Sequence, residues 1–195
     1  MAGGKQDLRL EWRHIPNVIT VLRIFLIGPI AYCLARELYR EAMWLFFVAG
    51  VSDALDGFLA RACKWSSRFG AVTDPLADKA LLVTVFIVLT YNQVLPLWLT
   101  LLVFARDVII VAGALTYHKL VGAYKMQPSL WGKLSTLSQI TFILAVILNL
   151  AGIAMPPWAL EGGVWVVALT SCISGAHYVI LWGGRFYRAR NGLAK

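Results

Sequence analysis

Six apolar runs, at roughly 15–36, 42–62, 72–91, 95–117, 131–152 and 158–184, fill most of the 195-residue chain. Each is about 20 residues long, enough for a helix to cross the hydrocarbon of a bilayer. The chain is 59% hydrophobic and only 14% charged, with a mean hydropathy of +0.71. That leaves too little polar surface for a water-soluble domain of this size. The expected fold is therefore an all-α integral membrane protein, a single domain of six transmembrane helices over 15–184. A short interfacial helix is expected in residues 1–14, where Leu8, Leu10 and Trp12 lie among charges, with a short disordered tail as the alternative, and a basic tail is expected in 185–195. The opening "MAGGKQDLRLEWRH" lacks the apolar core and small-residue cleavage site of a signal peptide, so none is expected.

The formal net charge of +8 is a topology signal. Lys5, Arg9 and Arg13 precede the first run. Arg61, Lys64 and Arg68 lie around the second connection, Lys119 and Lys125 around the fourth, and Arg185, Arg188, Arg190 and Lys195 follow the last run. On the other side Arg36 and Arg40 are balanced by Glu37 and Glu41, and "YNQVLP" and "AGIAMPPWALEGG" contain no base. The positive-inside rule then places both termini on the cytoplasmic (or matrix) side, facing anionic lipid and requiring no nucleic acid. Trp and Tyr cluster near the ends of the runs, and Gly28-Pro29 predicts a kink in the first helix. Cys33, Cys63 and Cys172 are isolated, which suits buried or lipid-facing thiols.

One stretch contradicts the oil around it: "DALDGFLARACKWSSRFGAVTDPLADKA", residues 53–80. Asp53 and Asp56 are three apart, Asp74 and Asp78 four apart, so each pair shares a helical face. At about 1.5 Å per residue from the basic connection, the two pairs fall at matched depth on antiparallel neighbours. Four converging carboxylates repel one another unless they are protonated or bound to cations. Hard oxygen donors without a His/Cys cluster indicate Mg²⁺ or Mn²⁺, two ions in one site, and such ions go with phosphate chemistry. Gly57 permits close approach of a ligand, Ala60 keeps the next turn small, and Arg61 suits a phosphate. The competing reading pairs these acids with Arg23, Lys79 or Arg106 in intramembrane salt bridges. An ion-coupled transporter would also hold carboxylates in the membrane, but nearer the midplane and between repeated halves, which this chain lacks. A non-catalytic scaffold would tolerate loss of Asp78.

The arrangement Asp53-x2-Asp56-Gly57-x2-Ala60-Arg61-x8-Gly70-x3-Asp74-x3-Asp78 resembles the signature of the CDP-alcohol phosphatidyltransferases, without a departure. The resemblance implies a helical membrane enzyme, usually a homodimer, that transfers a phosphatidyl group from CDP-diacylglycerol to an alcohol and releases CMP. It implies that Asp53, Asp56 and Asp74 hold one metal and that Asp53, Asp74 and Asp78 hold the other, with Asp78 as the catalytic base. Gly57, Ala60, Arg61 and Gly70 match positions around the cytidine and diphosphate.

"DPLADK" and "IPNVITVLR" resemble the branch that makes glycerol-based phospholipids, the phosphatidylglycerophosphate synthases and the CMP-forming cardiolipin synthases. The first of these typically carry a second Arg two turns after their "ARE", and K-x-K-T-x-x-Q in the fifth span. Here "ARDVIIVAGAL" has Ala114 in place of that Arg, and "GKLSTLSQ" has Ser135 in place of the second Lys. Two cations suited to a phosphomonoester are missing, so phosphatidylglycerol is the expected acceptor and glycerol-3-phosphate the alternative. Arg106 and Lys133 are expected to meet the acceptor's phosphate, with Arg106-Asp107 a local structural feature of which only Arg106 turns to the cleft. Thr20 and Arg23 are candidates for the diphosphate from the first helix, although Arg23 would equally pair with Asp107 or a motif aspartate. Lys79 points away from Asp78 and suits snorkelling. His14, His118 and His177, near run ends, suit interfacial hydrogen bonds. The hydroxyls of "LSTLSQIT" suit helix-to-helix bonding.

Overall fold

The apolar runs become helices because an α-helix bonds its peptide groups within one segment, leaving the apolar side chains to face apolar neighbours. A computed structural model describes residues 15–63, 70–121 and 129–190, with side chains over 22, 24–52, 78–113, 116 and 129–183. It contains α1 (Ile15–Ala35), α2 (Tyr39–Cys63), α3 (Gly70–Tyr91), α4 (Leu97–Val121), α5 (Leu130–Leu150) and α6 (Pro157–Arg190). No strand occurs among the described residues. The expected boundaries hold within a few residues, except that α6 continues through Arg185 and Arg188 into the expected tail. The interfacial segment 1–14 lies outside the described residues.

Helix α1 runs continuously through Pro29. Its exit is a closed turn: Glu37, at φ 59°, donates its N–H to the Leu34 carbonyl (3.1 Å), and Leu38 donates to Cys33 (2.8 Å). This double bond satisfies carbonyls that the helix end leaves open. Gly152 makes the same turn after α5, at φ 94° and with donations from Gly152 to Asn149 and from Ile153 to Leu148. Glycine suits this left-handed position, where any side chain meets the backbone.

Residues 1–92 with 147–153 form one unit, and 93–146 with 154–195 a second. In the first, α1 packs against both α2 and α3. The Asn92 amide, just past α3, donates to the Leu34 carbonyl near the end of α1 (2.7 Å), so these two helices end together and run parallel. The described core of this unit is apolar, with Ile30, Leu34, Val85 and Leu89 fully buried.

In the second unit α4 packs along α6. Trp98 stacks near Trp165, Arg106 bonds Ser174, and Gly113 abuts Trp182, so the two helices run parallel in constant register. Helix α5 runs the other way: Gly163 meets Phe142, Ser138 meets Thr170, and Ser129 meets Tyr178. The hydroxyls of α5 thus bond helix to helix, as the sequence suggests.

Leu130–Leu150 and Pro157–Gly183 are long and apolar enough to cross a membrane, the two such helices among the described residues. Large apolar side chains face outward throughout, including Phe25, Trp44, Leu130, Trp158 and Ile180. So many exposed large apolar side chains suit lipid better than water.

Candidate functional site

The acid motif occupies the end of α2 and the start of α3. Asp53, Asp56, Gly57, Ala60 and Arg61 fall on the last turns of α2. Gly70 opens α3, and Asp74 and Asp78 follow on its first turns. The aspartates therefore sit on continuous helical backbone on either side of the 64–69 connection. Thr20 and Arg23 lie on α1, the helix that packs against both motif helices. Of these residues only Asp78 has a described side chain, and it is half-buried. The side chains of Asp53, Asp56, Asp74, Gly57, Ala60, Arg61, Gly70, Thr20 and Arg23 lie outside the described set. Among the described residues no group of three His, Cys, Asp or Glu side chains comes together. The chemistry of the motif's donors nevertheless suits a hard divalent cation, since all four are carboxylates and none is soft.

Arg106 and Lys133 differ sharply in setting. Lys133, on the first turn of α5, is exposed. Arg106 is buried and its guanidinium is committed to protein groups. Nε donates to Ser174 Oγ (3.1 Å), and one terminal nitrogen to Asp107 Oδ1 (2.8 Å). The other donates to Ser174 Oγ (2.8 Å) and to the Gly132 carbonyl (3.2 Å). The ion pair with Asp107 is itself buried. A lone buried charge would be severely destabilising, and the adjacent carboxylate offsets most of that cost. Arg106 thus has a partner next to it in sequence as well as partners on two other helices.

Sequence reasoning missed Gly132, Ser174 and Tyr178. The signals were faint. Ser129 follows Pro128, and its hydroxyl accepts the Gly132 N–H (3.1 Å) as an N-cap, while Ser129 N–H donates to the Tyr178 hydroxyl (3.2 Å). His177 sits in α6, which outruns its apolar stretch, and its buried Nδ1 meets no hydrogen-bond partner among the described residues. Its ring packs edge-on against Tyr178 at 6.1 Å instead. Ser135, which stands where a second Lys was sought, is fully buried. Its hydroxyl faces Ser171 Oγ (3.4 Å) and accepts from the Gln139 amide (3.3 Å). Cys33 is half-buried and Cys172 exposed, both free thiols.

Comparison with known proteins gives relatives with two names. A rat CMP-forming cardiolipin synthase is 30% identical over 176 residues, 81% of this chain and 56% of the relative. Its human counterpart is 38% identical over 102 residues, 51% of this chain and 33% of that protein. A CDP-diacylglycerol–glycerol-3-phosphate 3-phosphatidyltransferase of Haemophilus influenzae is 37% identical over 132 residues, 65% of this chain and 71% of that protein. The chain thus spans about half the length of the rat protein and a third of the human one. The family model for CDP-alcohol phosphatidyltransferase matches residues 13–174, a stretch that holds the whole acid motif and the helices carrying it, and the chain belongs to that family.

Proposed function

We propose that the protein transfers a phosphatidyl group from CDP-diacylglycerol to an alcohol and releases CMP, with phosphatidylglycerol as acceptor. The observation that carries this reading is the complete Asp53-to-Asp78 motif, placed on two consecutive helices inside the family match. Asp53, Asp56, Asp74 and Asp78 would hold two Mg²⁺ or Mn²⁺ ions, which when bound offset charge on the diphosphate. Asp78 accepts the proton of the acceptor hydroxyl. The freed oxygen attacks the β-phosphorus, the bond from that phosphorus to the bridging oxygen breaks, and CMP leaves with that oxygen. Gly57, Ala60, Arg61 and Gly70 line the cytidine and diphosphate, with Thr20 and Arg23 reaching in from α1. All six helices cross the membrane, with the termini and the site on the cytoplasmic (or matrix) side. The donor's acyl chains then stay in lipid while its head meets the motif. The protein works as a homodimer, as the resemblance implies.

The choice of acceptor is supported by the count of cations. Glycerol-3-phosphate carries nearly two negative charges, and each charge-assisted contact contributes about 1.5–3 kcal/mol. Position 135 offers a buried hydroxyl bonded to Ser171 and Gln139 instead of an ammonium, which supports the singly charged phosphatidylglycerol. The rat and human relatives bear the matching name. Glycerol-3-phosphate is the second reading, supported by the Haemophilus influenzae relative. Purified protein with Mg²⁺ and CDP-diacylglycerol should release CMP when phosphatidylglycerol is added. Release with glycerol-3-phosphate alone selects the second reading, and release with neither ends both.

A further inference from the structure

Arg106 spends its donors on the protein. Its partners lie on its own helix (Asp107), on α6 (Ser174) and on α5 (the Gly132 carbonyl), so one guanidinium ties three helices together. The tie to α5 reaches that helix in its first turn, one residue before Lys133. Gly132 is what allows the approach. A Cβ there would stand 3.1 Å from the Tyr178 hydroxyl, 3.3 Å from Ser129 Oγ and 3.4 Å from an Arg106 terminal nitrogen. The same turn is held on its other side by the Tyr178 hydroxyl, which accepts from Ser129 N–H. The start of α5 is therefore fixed by α4 through Arg106 and by α6 through Tyr178. Lys133, exposed and on a flexible four-carbon stem, projects from this fixed turn. For Arg106 to bind a phosphate itself it would have to leave these partners, with the Asp107 carboxylate buried beside it.

We propose that Arg106 is a positioning residue: it clamps the first turn of α5 to α4 and α6, and so sets where the Lys133 ammonium meets the acceptor's phosphate. The role rests on the phosphatidyl-transfer reading, and its test separates the two.

The double substitution Arg106→Gln with Asp107→Asn removes both charges of this ion pair together. Full-length protein in mixed micelles, with Mg²⁺ and CDP-diacylglycerol, is assayed for CMP release as the acceptor is varied. In the native background the double change raises the acceptor KM roughly tenfold, with kcat and the donor KM within about twofold. In a Lys133→Ala background the same change moves the acceptor KM by less than about twofold, because the residue it positions is gone. Equal tenfold losses in both backgrounds would mean that Arg106 touches the acceptor directly, and no loss in either that it has no part; each overturns the proposal. Ser174→Ala, which removes one partner only, provides a milder variant with the same expected pattern if the double change does not fold.

The clamp has its own readout. Nitroxides on Leu130→Cys and Val179→Cys, in a background with Cys33, Cys63 and Cys172 replaced by Ser, report the separation of the α5 start from α6. The native chain should give one narrow distance distribution, and the Arg106 variant a broad one. An unchanged distribution overturns the clamp whether or not the protein turns over. Absence of CMP release from the unsubstituted protein with every acceptor overturns the functional reading and the acceptor half of this proposal, while broadening would still support the clamp.

Discussion

The two units solve the problem of polar groups in an apolar chain in opposite ways. The described core of the first is made of Ile30, Leu34, Phe46, Leu81, Val85, Phe86 and Leu89, and its four motif aspartates are gathered at one end, on the last turns of α2 and the first of α3. The core of the second mixes Thr100, Arg106, Asp107, Ser135, Gln139, Ser171 and Ser174 among Leu99, Val103, Ile143 and Val167. In the first unit, packing and proposed chemistry occupy separate stretches of the same helices. In the second, the groups that bond helix to helix also set the surroundings of Lys133. A substitution in the first unit should therefore change either turnover or stability, and one in the second should change both.

The acids give the largest separation. Asp78→Asn and Asp56→Ala should each lower CMP release by about 10³-fold or more, the scale of a lost general base or metal ligand. Neither should shift the midpoint of unfolding in an SDS titration by more than its error. A large loss of stability in both would mean that the acids hold the fold together, and the contrast with the second unit would disappear. Chelation with EDTA should abolish release in the native protein, and added Mg²⁺ or Mn²⁺ should restore it. Activity that persists through exhaustive chelation would remove the reason for gathering four carboxylates at one end.

The opposite substitution in the same unit is Phe86→Ala. Phe86 is almost fully buried, and truncating such a ring costs about 3–5 kcal/mol through lost contacts and a residual cavity. The folded fraction should nevertheless keep its kcat, since the ring lies two turns beyond Asp78 on the apolar stretch of α3. A matching fall in kcat per folded molecule would show that packing and chemistry are coupled in this unit too.

The first unit was also the more legible. Helix boundaries follow the ends of the apolar runs, which can be read directly from composition. The acids stand out because carboxylates are so costly among apolar residues that four at fixed spacing demand a reason. The second unit hides its organisation in residues that cost little anywhere. Ser174 and Gly132 have no periodicity that marks them, and their pairing with Arg106 depends on the register of α4 along α6. Asp107 was legible as a partner in principle, being adjacent, but was set beside rival pairings such as Arg23.

Glycines in α6 test the second unit more finely. A Cβ on Gly163 would come within 2.5 Å of Phe142 Cδ2, whereas one on Gly162 meets nothing within 4 Å. Phe142 is buried, so its ring has little space to retreat. Gly163→Ala should cost about 1–3 kcal/mol by overpacking, and Gly162→Ala should be neutral. If the two behave alike, α5 and α6 are not packed as tightly as their register implies.

The smallest expected effect is that of the hydroxyl pair. Ser138 Oγ lies 2.8 Å from Thr170 Oγ1, an apparent clasp between α5 and α6. Yet Ser138 also reaches the Ser135 carbonyl at 2.8 Å, and Thr170 the Val166 carbonyl at 2.8 Å. Thr170 also reaches the Val167 carbonyl at 3.2 Å, so two hydroxyl protons face four acceptor demands, and the bond across the helices forms only when local bonding is given up on one side. Ser138→Ala leaves Thr170 bonded to Val166 and should cost no more than about 0.6 kcal/mol, the average for such bonds within membranes. A cost above about 2 kcal/mol would reverse the assignment. The proton would then be held mainly between the helices, and the hydroxyls of the second unit would contribute to its stability on the scale of the first unit's apolar side chains.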